Sequence, residues 1–132
     1  MSGVWAFDVD GCLVDALTGG SLRPFARSVL EHLRASGTTV VLWSAGGCEY
    51  ARRRAEMHGI DDLVHAFYDK DERDTDGRYV VTHLAVAHRP DVCVDDQPDE
   101  LPTHVEPVAV MPYLAHDPHD RGLAPVLDRI TS

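Results

Sequence analysis

Asp8 and Asp10 stand two residues apart directly behind the apolar run Val4–Phe7, and Asp15 follows in the same short stretch, FDVDGCLVD. Buried strands do not ordinarily end in acid, and residues two apart on a strand point to the same side. Two like charges aimed at one point call for a cation between them or for a carboxyl group that does chemistry. A second acidic pair, Asp95 and Asp96, closes the apolar stretch 91–94 (DVCV). Ser44 closes the stretch 38–43 (TTVVLW), and Asp69 and Lys70 follow 63–68. Lys70 is the single lysine in a chain with eleven arginines, which makes it either a candidate for a role that needs a compact ammonium or a chance retention. Acid, hydroxyl, ammonium and acid at four strand ends suit phosphoryl transfer. Carboxylates with water bind Mg2+, and a carboxylate nucleophile splits ester hydrolysis into two easier steps. A neighbouring carboxyl can protonate the leaving oxygen and then deprotonate water, while a hydroxyl and an ammonium hold the other phosphoryl oxygens.

These groups converge only if the elements behind them lie side by side. The apolar runs 4–8, 38–43, 63–68, 91–94 and 108–111 read as strands. Helices are expected from Pro24 to Gly37, from Cys48 to His58, from Val80 to His88 and from Leu123 to Ile130. Ser21 is a candidate cap for the first of these, and Gly37 and Gly59 are candidate stops. Strands that are apolar on both faces and alternate with helices predict an α/β fold. The expectation is a doubly wound, Rossmann-like parallel sheet of about five strands with helices on both faces and ligands beyond the strands' carboxyl ends.

The length of 132 residues predicts one domain, 1–132. Formal charge is −10, which argues against a long nucleic acid held by its backbone. No apolar run approaches about 18 residues, so no membrane span is expected, and no signal peptide is read at the start. Three cysteines, Cys12, Cys48 and Cys93, without metal-ligand spacing fit a reduced cytoplasmic protein. The run Arg52, Arg53, Arg54 reads as a solvated helix face, and 116–120 (HDPHD) as an exposed linker. The loop containing Arg73 and Arg78 reads as solvated, with those two side chains able to reach a substrate.

DVDGCLVD behind an apolar strand resembles the first motif of the haloacid dehalogenase superfamily of phosphohydrolases. VVLWSAG resembles the second, Lys70 stands where the third supplies its lysine, and VCVDDQPDE resembles the fourth, in the family's order. The resemblance implies Asp8 as nucleophile and metal ligand, and Asp10 as general acid/base with its carbonyl on the metal. It places Ser44, with Ala45 and Gly11, around the phosphoryl group and Lys70 beside nucleophile and phosphate. Asp96 is the implied direct Mg2+ ligand of its pair, with Asp95 orienting Lys70 or a metal-bound water, and Glu100 is a further family acid. Asp15 has a local loop role or is a solvated turn acid. Cys12 departs from the family's usual threonine.

The expected activity is a Mg2+-dependent phosphatase acting on a phosphate monoester through an aspartyl-phosphate. A receiver-like phosphoaccepting domain and a catalytically silent binding module of the same fold are the rival readings. The spans from Asp15 to Ser44 and from Ser44 to Asp95 leave no room for a cap domain. The substrate is therefore expected to be a phosphorylated small molecule or phosphoprotein, with a homo-oligomer partner bordering the open rim.

Overall fold

The computed structural model describes residues 3–132. Five parallel strands form one sheet: β1 (Val4–Phe7), β2 (Thr39–Ser44), β3 (Ala66–Asp69), β4 (Val92–Asp95) and β5 (Glu106–Ala109), in the order β3-β2-β1-β4-β5. Three helices accompany them: α1 (Ala26–Ala35), α2 (Cys48–Met57) and α3 (Ala124–Thr131). Ala26, Val29, Leu30 and Leu33 form the buried stripe of α1 at helical spacing. Each fully buried leucine of that kind contributes roughly 1.5–3 kcal/mol. Both α1 and α2 end as their glycines predict. Gly37 and Gly59 take positive φ values of 83° and 68°. Behind them, Thr38 N donates to Leu33 O and Ile60 N to Ala55 O, closing a Schellman turn on each helix.

Strand alternation splits the core in two. Trp5, Phe7, Val40, Leu42, Val92 and Val94 face one side, where all three helices pack. Ala6, Val41, Trp43 and Cys93 face the other, where they meet Tyr79, Val81, Leu84, Leu101 and Val105. Right-handed crossovers explain the split. The chain steps β1-β2-β3 in one direction over the helical face, then must return across the opposite face to reach β4 beside β1.

The expectation of helices on both faces is therefore met on one. The predicted Val80–His88 helix is absent, and only a single 3-10 turn, Val86–His88, forms there. Tyr79 N donates to Glu100 O and Val80 N to Glu72 O, so the backbone is committed to distant partners. Tyr79 and Val81 are buried at a spacing of two, and β-branched Val80, Val81 and Thr82 favour that extended path. Boundaries shift elsewhere. Asp61–Leu63 is a 3-10 turn preceding β3, α1 begins at Ala26, and β5 starts earlier at Glu106. Pro107 is tolerated in β5 because that strand lies at the sheet edge. No capping contact comes from Ser21, whose hydroxyl donates to Asp15 Oδ1 instead.

The strand order also disposes of the receiver-like reading. Receiver domains use the order 2-1-3-4-5, and here β1 lies between β2 and β4. The spans from Asp15 to Ser44 and from Ser44 to Asp95 hold elements of this one sheet and its cover, with no cap inserted.

Candidate active site

The strand order reverses between β1 and β4, and an open α/β sheet binds its ligand at such a point. Asp8 follows β1, and its backbone N donates to Val94 O at 3.0 Å, which holds it abreast of the end of β4. Asp95 is the last residue of β4 and Asp96 follows it. One carboxylate oxygen from each of Asp8, Asp95 and Asp96 lies within 4.8 Å of the others. Among the described residues, this trio is the group of acids, histidines or cysteines close enough to share one metal ion. The histidines of 116–120 do not join it.

Burial pushes the Asp8 carboxyl well above the ordinary carboxylate range; Lys70 pulls it down, and Asp95 and Asp96 push it further up. Lys70 is 6% exposed, in ion-pair contact with Asp95 and 3.9 Å from Asp8 Oδ1. Burial alone would lower the Lys70 pKa, but Asp8 and Asp95 together raise it, so the ammonium stays charged. Its backbone N donates to Ser44 O at 2.9 Å, tying the third strand end to the second. The ring centroids of Tyr79 and Trp43 lie 5.0 and 5.4 Å from Nζ, which adds cation–π attraction. Asp95 Oδ1 accepts from Gln97 N at 2.8 Å.

Ser44 is buried, and its Oγ accepts from Gly46 N at 3.1 Å, so the hydroxyl organises the turn that presents Ala45 and Gly46 to the cavity. Asp10 is placed differently from the trio. It lines the cavity, yet its Oδ1 accepts from Tyr50 Oη at 2.5 Å, which draws it toward α2. Gly11 stands behind the cavity. Its φ is +78°, and a Cβ there would lie 2.7 Å from Asp96 Oδ2, so only glycine lets the β1 loop approach the β4 acids.

The loop itself is held by residues outside the chemistry. Asp15 is fully buried and accepts four hydrogen bonds, from the N and hydroxyl of Thr18 and of Ser21, at 2.7–2.8 Å. Burial opposes ionisation of Asp15, but those bonds outweigh it and hold the carboxyl far below its ordinary range. Such a group stabilises the fold above the ordinary carboxylate range, and that contribution is lost as the pH falls toward the depressed value. Asp15 is thus the anchor of the 15–21 turn. Arg23, also buried, donates from Nε to Asp120 at 2.7 Å and from Nη1 to the carbonyls of Gly11 and Cys12. Gly122 has no space for a side chain, because a Cβ would collide with the Arg23 guanidinium.

Cys12 is fully buried, with its Sγ near Val94 O, and burial pushes its thiol up, so it fills space. Glu100 lines the cavity and pairs with Arg73 at 3.2 Å. Arg73 also caps the Tyr79 ring at 4.1 Å, whereas Arg78 turns away to Leu101 O. Asp69 accepts from Cys48 N at 2.6 Å and so caps α2. Sequence reasoning misses Tyr50, Tyr79 and Trp43, because nothing local in an aromatic residue signals which charged group it will meet in the fold. The cavity has a volume of about 330 Å³. A larger apolar groove of about 610 Å³ lies between β5 and α3 and shares no lining residue with this cavity.

A parallel sheet with acids, a serine and a lysine gathered at its switch point is the arrangement of the haloacid dehalogenase superfamily. Residues 8–132 match the family described as NLI interacting factor-like phosphatase, and the chain belongs to that family. The fold is similar to that of a chain in the "Structure of the Pnkp1/Rnl/Hen1 RNA repair complex", with a TM-score of 0.54 at 14% identity. That similarity covers 81% of this chain and 42% of the other. No match was found among curated proteins. Among the described residues no helix is long and apolar enough to cross a membrane.

Proposed function

We propose that this chain hydrolyses phosphate monoesters with Mg2+, through an aspartyl-phosphate formed on Asp8. The supporting observation is the convergence of Asp8, Asp95 and Asp96 within 4.8 Å beside one buried ammonium. Three carboxylates so placed repel one another and are short of positive charge, and an all-oxygen donor set suits a hard divalent cation. Asp8, Asp95 and Asp96 would hold it, with Asp95 shared with Lys70. When bound, Mg2+ supplies charge that offsets repulsion between these acids and the incoming phosphate.

In this reading a carboxylate oxygen of Asp8 bonds to phosphorus while the ester P–O bond breaks. Asp10 delivers its proton to the departing alcohol oxygen. It then takes a proton from water, whose oxygen bonds to phosphorus and releases phosphate with Asp8 restored. Lys70 neutralises charge that grows on the phosphoryl oxygens, and the turn at Ser44 to Gly46 cradles them. Turnover of an aryl phosphate that requires Mg2+ and stops on chelation tests the proposal. Metal-independent turnover, or none, would reject it, and the second outcome would leave the silent-module reading.

Tyr50 supplies a sharper check on the acid. Its hydroxyl holds Asp10 Oδ1, so Tyr50→Phe frees the carboxylate to rotate while keeping the ring. Hydrogen bonds to charged groups are worth ~1.5–3 kcal/mol, which corresponds to roughly 10–100-fold in rate. That loss in kcat/KM is expected for alkyl phosphates, whose leaving oxygen needs the proton. Nitrophenyl phosphate, whose leaving group does not, is expected to change less than about 3-fold. Equal losses on both substrates would make Tyr50 a structural residue only.

A further inference from the structure

Beyond the phosphate-handling groups, one wall of the cavity is apolar and already assembled. Ala16 and Leu114 line it together with Asp10. Ala16 N donates to Tyr113 O and Leu17 N to Leu114 O, both at 2.9 Å, so the two segments are zipped into one lip. Tyr113 N donates to Gly11 O at 2.7 Å, which joins this lip to the loop that carries Asp10. Leu17 and Leu114 are nonetheless 77% and 65% exposed. Single exposed leucines are common, but a cavity-lining leucine whose backbone carbonyl accepts from a second exposed leucine is not one of a scattered pair.

The charges at the mouth narrow what can lie there. Lys70 is the one cation lining the cavity, and it is committed to Asp95 and Asp8. Arg73, beside the cavity, is committed to Glu100 and Tyr79. Arg54 lies outside the cavity lining, stacked on the Tyr50 ring at 5.1 Å with Nη1 donating to Met57 Sδ. The chain carries a formal charge of −10. A second anionic group on the substrate finds no uncommitted cation among the residues lining the cavity, whereas a hydrocarbon finds the lip.

We propose that Ala16, Leu17 and Leu114 form a subsite for the carbon skeleton next to the scissile oxygen, selecting monophosphates of neutral, apolar alcohols over nucleotides, bisphosphates and other polyanions. This rests on the phosphatase reading, because it takes the Asp10 side of the cavity as the side of the leaving group. Alcohols entering there shed water from the lip as well as from themselves, so selectivity grows with the apolar area they cover.

Unbranched alkyl groups test this cleanly, since their leaving oxygens differ little in basicity. Binding of methyl- to hexylphosphonate with Mg2+ is measured by calorimetry, and hydrolysis of the matching alkyl phosphates is followed in parallel. Affinity and kcat/KM are expected to rise about 2–4-fold per methylene over the first few carbons, the upper figure being that of a fully buried methylene. An ω-carboxylate on the same chain is expected to cancel the gain. Leu114→Ser, and independently the exposed Leu17→Ser, is expected to flatten the chain-length slope. A flat series in the wild-type protein overturns the subsite, whether the lip is idle or covered by a second copy of the chain. Absence of phosphonate binding overturns it as well. A rising binding series with no ester hydrolysis upholds the subsite and overturns the phosphatase reading instead.

Discussion

Asp8→Asn is expected to reduce phosphate-ester turnover to background, a loss on the order of 10⁴-fold or more, because removal of a covalent nucleophile cannot be compensated by the rest of the site. The same substitution is expected to leave the metal-free fold at least as stable as the wild type. Asp8 is half-buried beside Asp95 and Asp96, and burial with those neighbours opposes its negative charge. Carboxamide replaces carboxylate without that charge, so unfolding cannot account for the lost activity. Steady-state turnover and thermal melting of the same preparation check the two halves together. Wild-type turnover in Asp8→Asn would remove the aspartyl-phosphate from the mechanism. Lost turnover with a collapsed melting temperature would show instead that the carboxylate is structural.

Replacing Lys70 by arginine is expected to lower kcat on the order of 10²-fold although the charge is kept. The ammonium sits in contact with Asp95, near Asp8, and against the faces of Trp43 and Tyr79, with 6% of the residue exposed. A planar guanidinium is wider and cannot occupy that box without displacing a ring or Asp95. Loss of one group that stabilises transition-state charge typically costs ~10²–10³-fold. Lys70→Ala is expected to be worse for a second reason, since it leaves Asp95 buried and unpaired, a loss of roughly 3–5 kcal/mol in stability. Chemical denaturation separates the two variants: the alanine protein unfolds earlier, while the arginine protein keeps much of its stability and loses rate. Near-full turnover in Lys70→Arg would mean that the single lysine of this chain has no part in the chemistry.

Local signals carried most of the scaffold. Apolar runs bounded by glycine and acid marked five strands, and the spacing of Phe25, Val29, Leu30 and Leu33 with Gly37 behind them marked α1, because these depend on neighbours within a turn or two. The region around Val81 misled for the same reason. Its apolar residues fit either period, and only the return crossover across the second sheet face made them extended. Asp15 was equally undecided between solvent and loop until Thr18 and Ser21 were seen folded around it.

By itself the sequence determined that acids, a serine hydroxyl and one ammonium stand behind successive apolar strands, and hence that a parallel sheet delivers them to one rim. Tertiary structure alone decided their arrangement there. Placing β4 beside β1 brought Asp95 and Asp96 to Asp8, while Asp10 was drawn toward Tyr50. It also decided that Arg23 locks the carbonyls of Gly11 and Cys12, and that Leu114 reaches the cavity from beyond β5. The physical reason is range. Periodicity and caps act over a few residues, whereas strand order, buried ion pairs and a shared cavity wall depend on segments that meet only when the sheet closes its two faces.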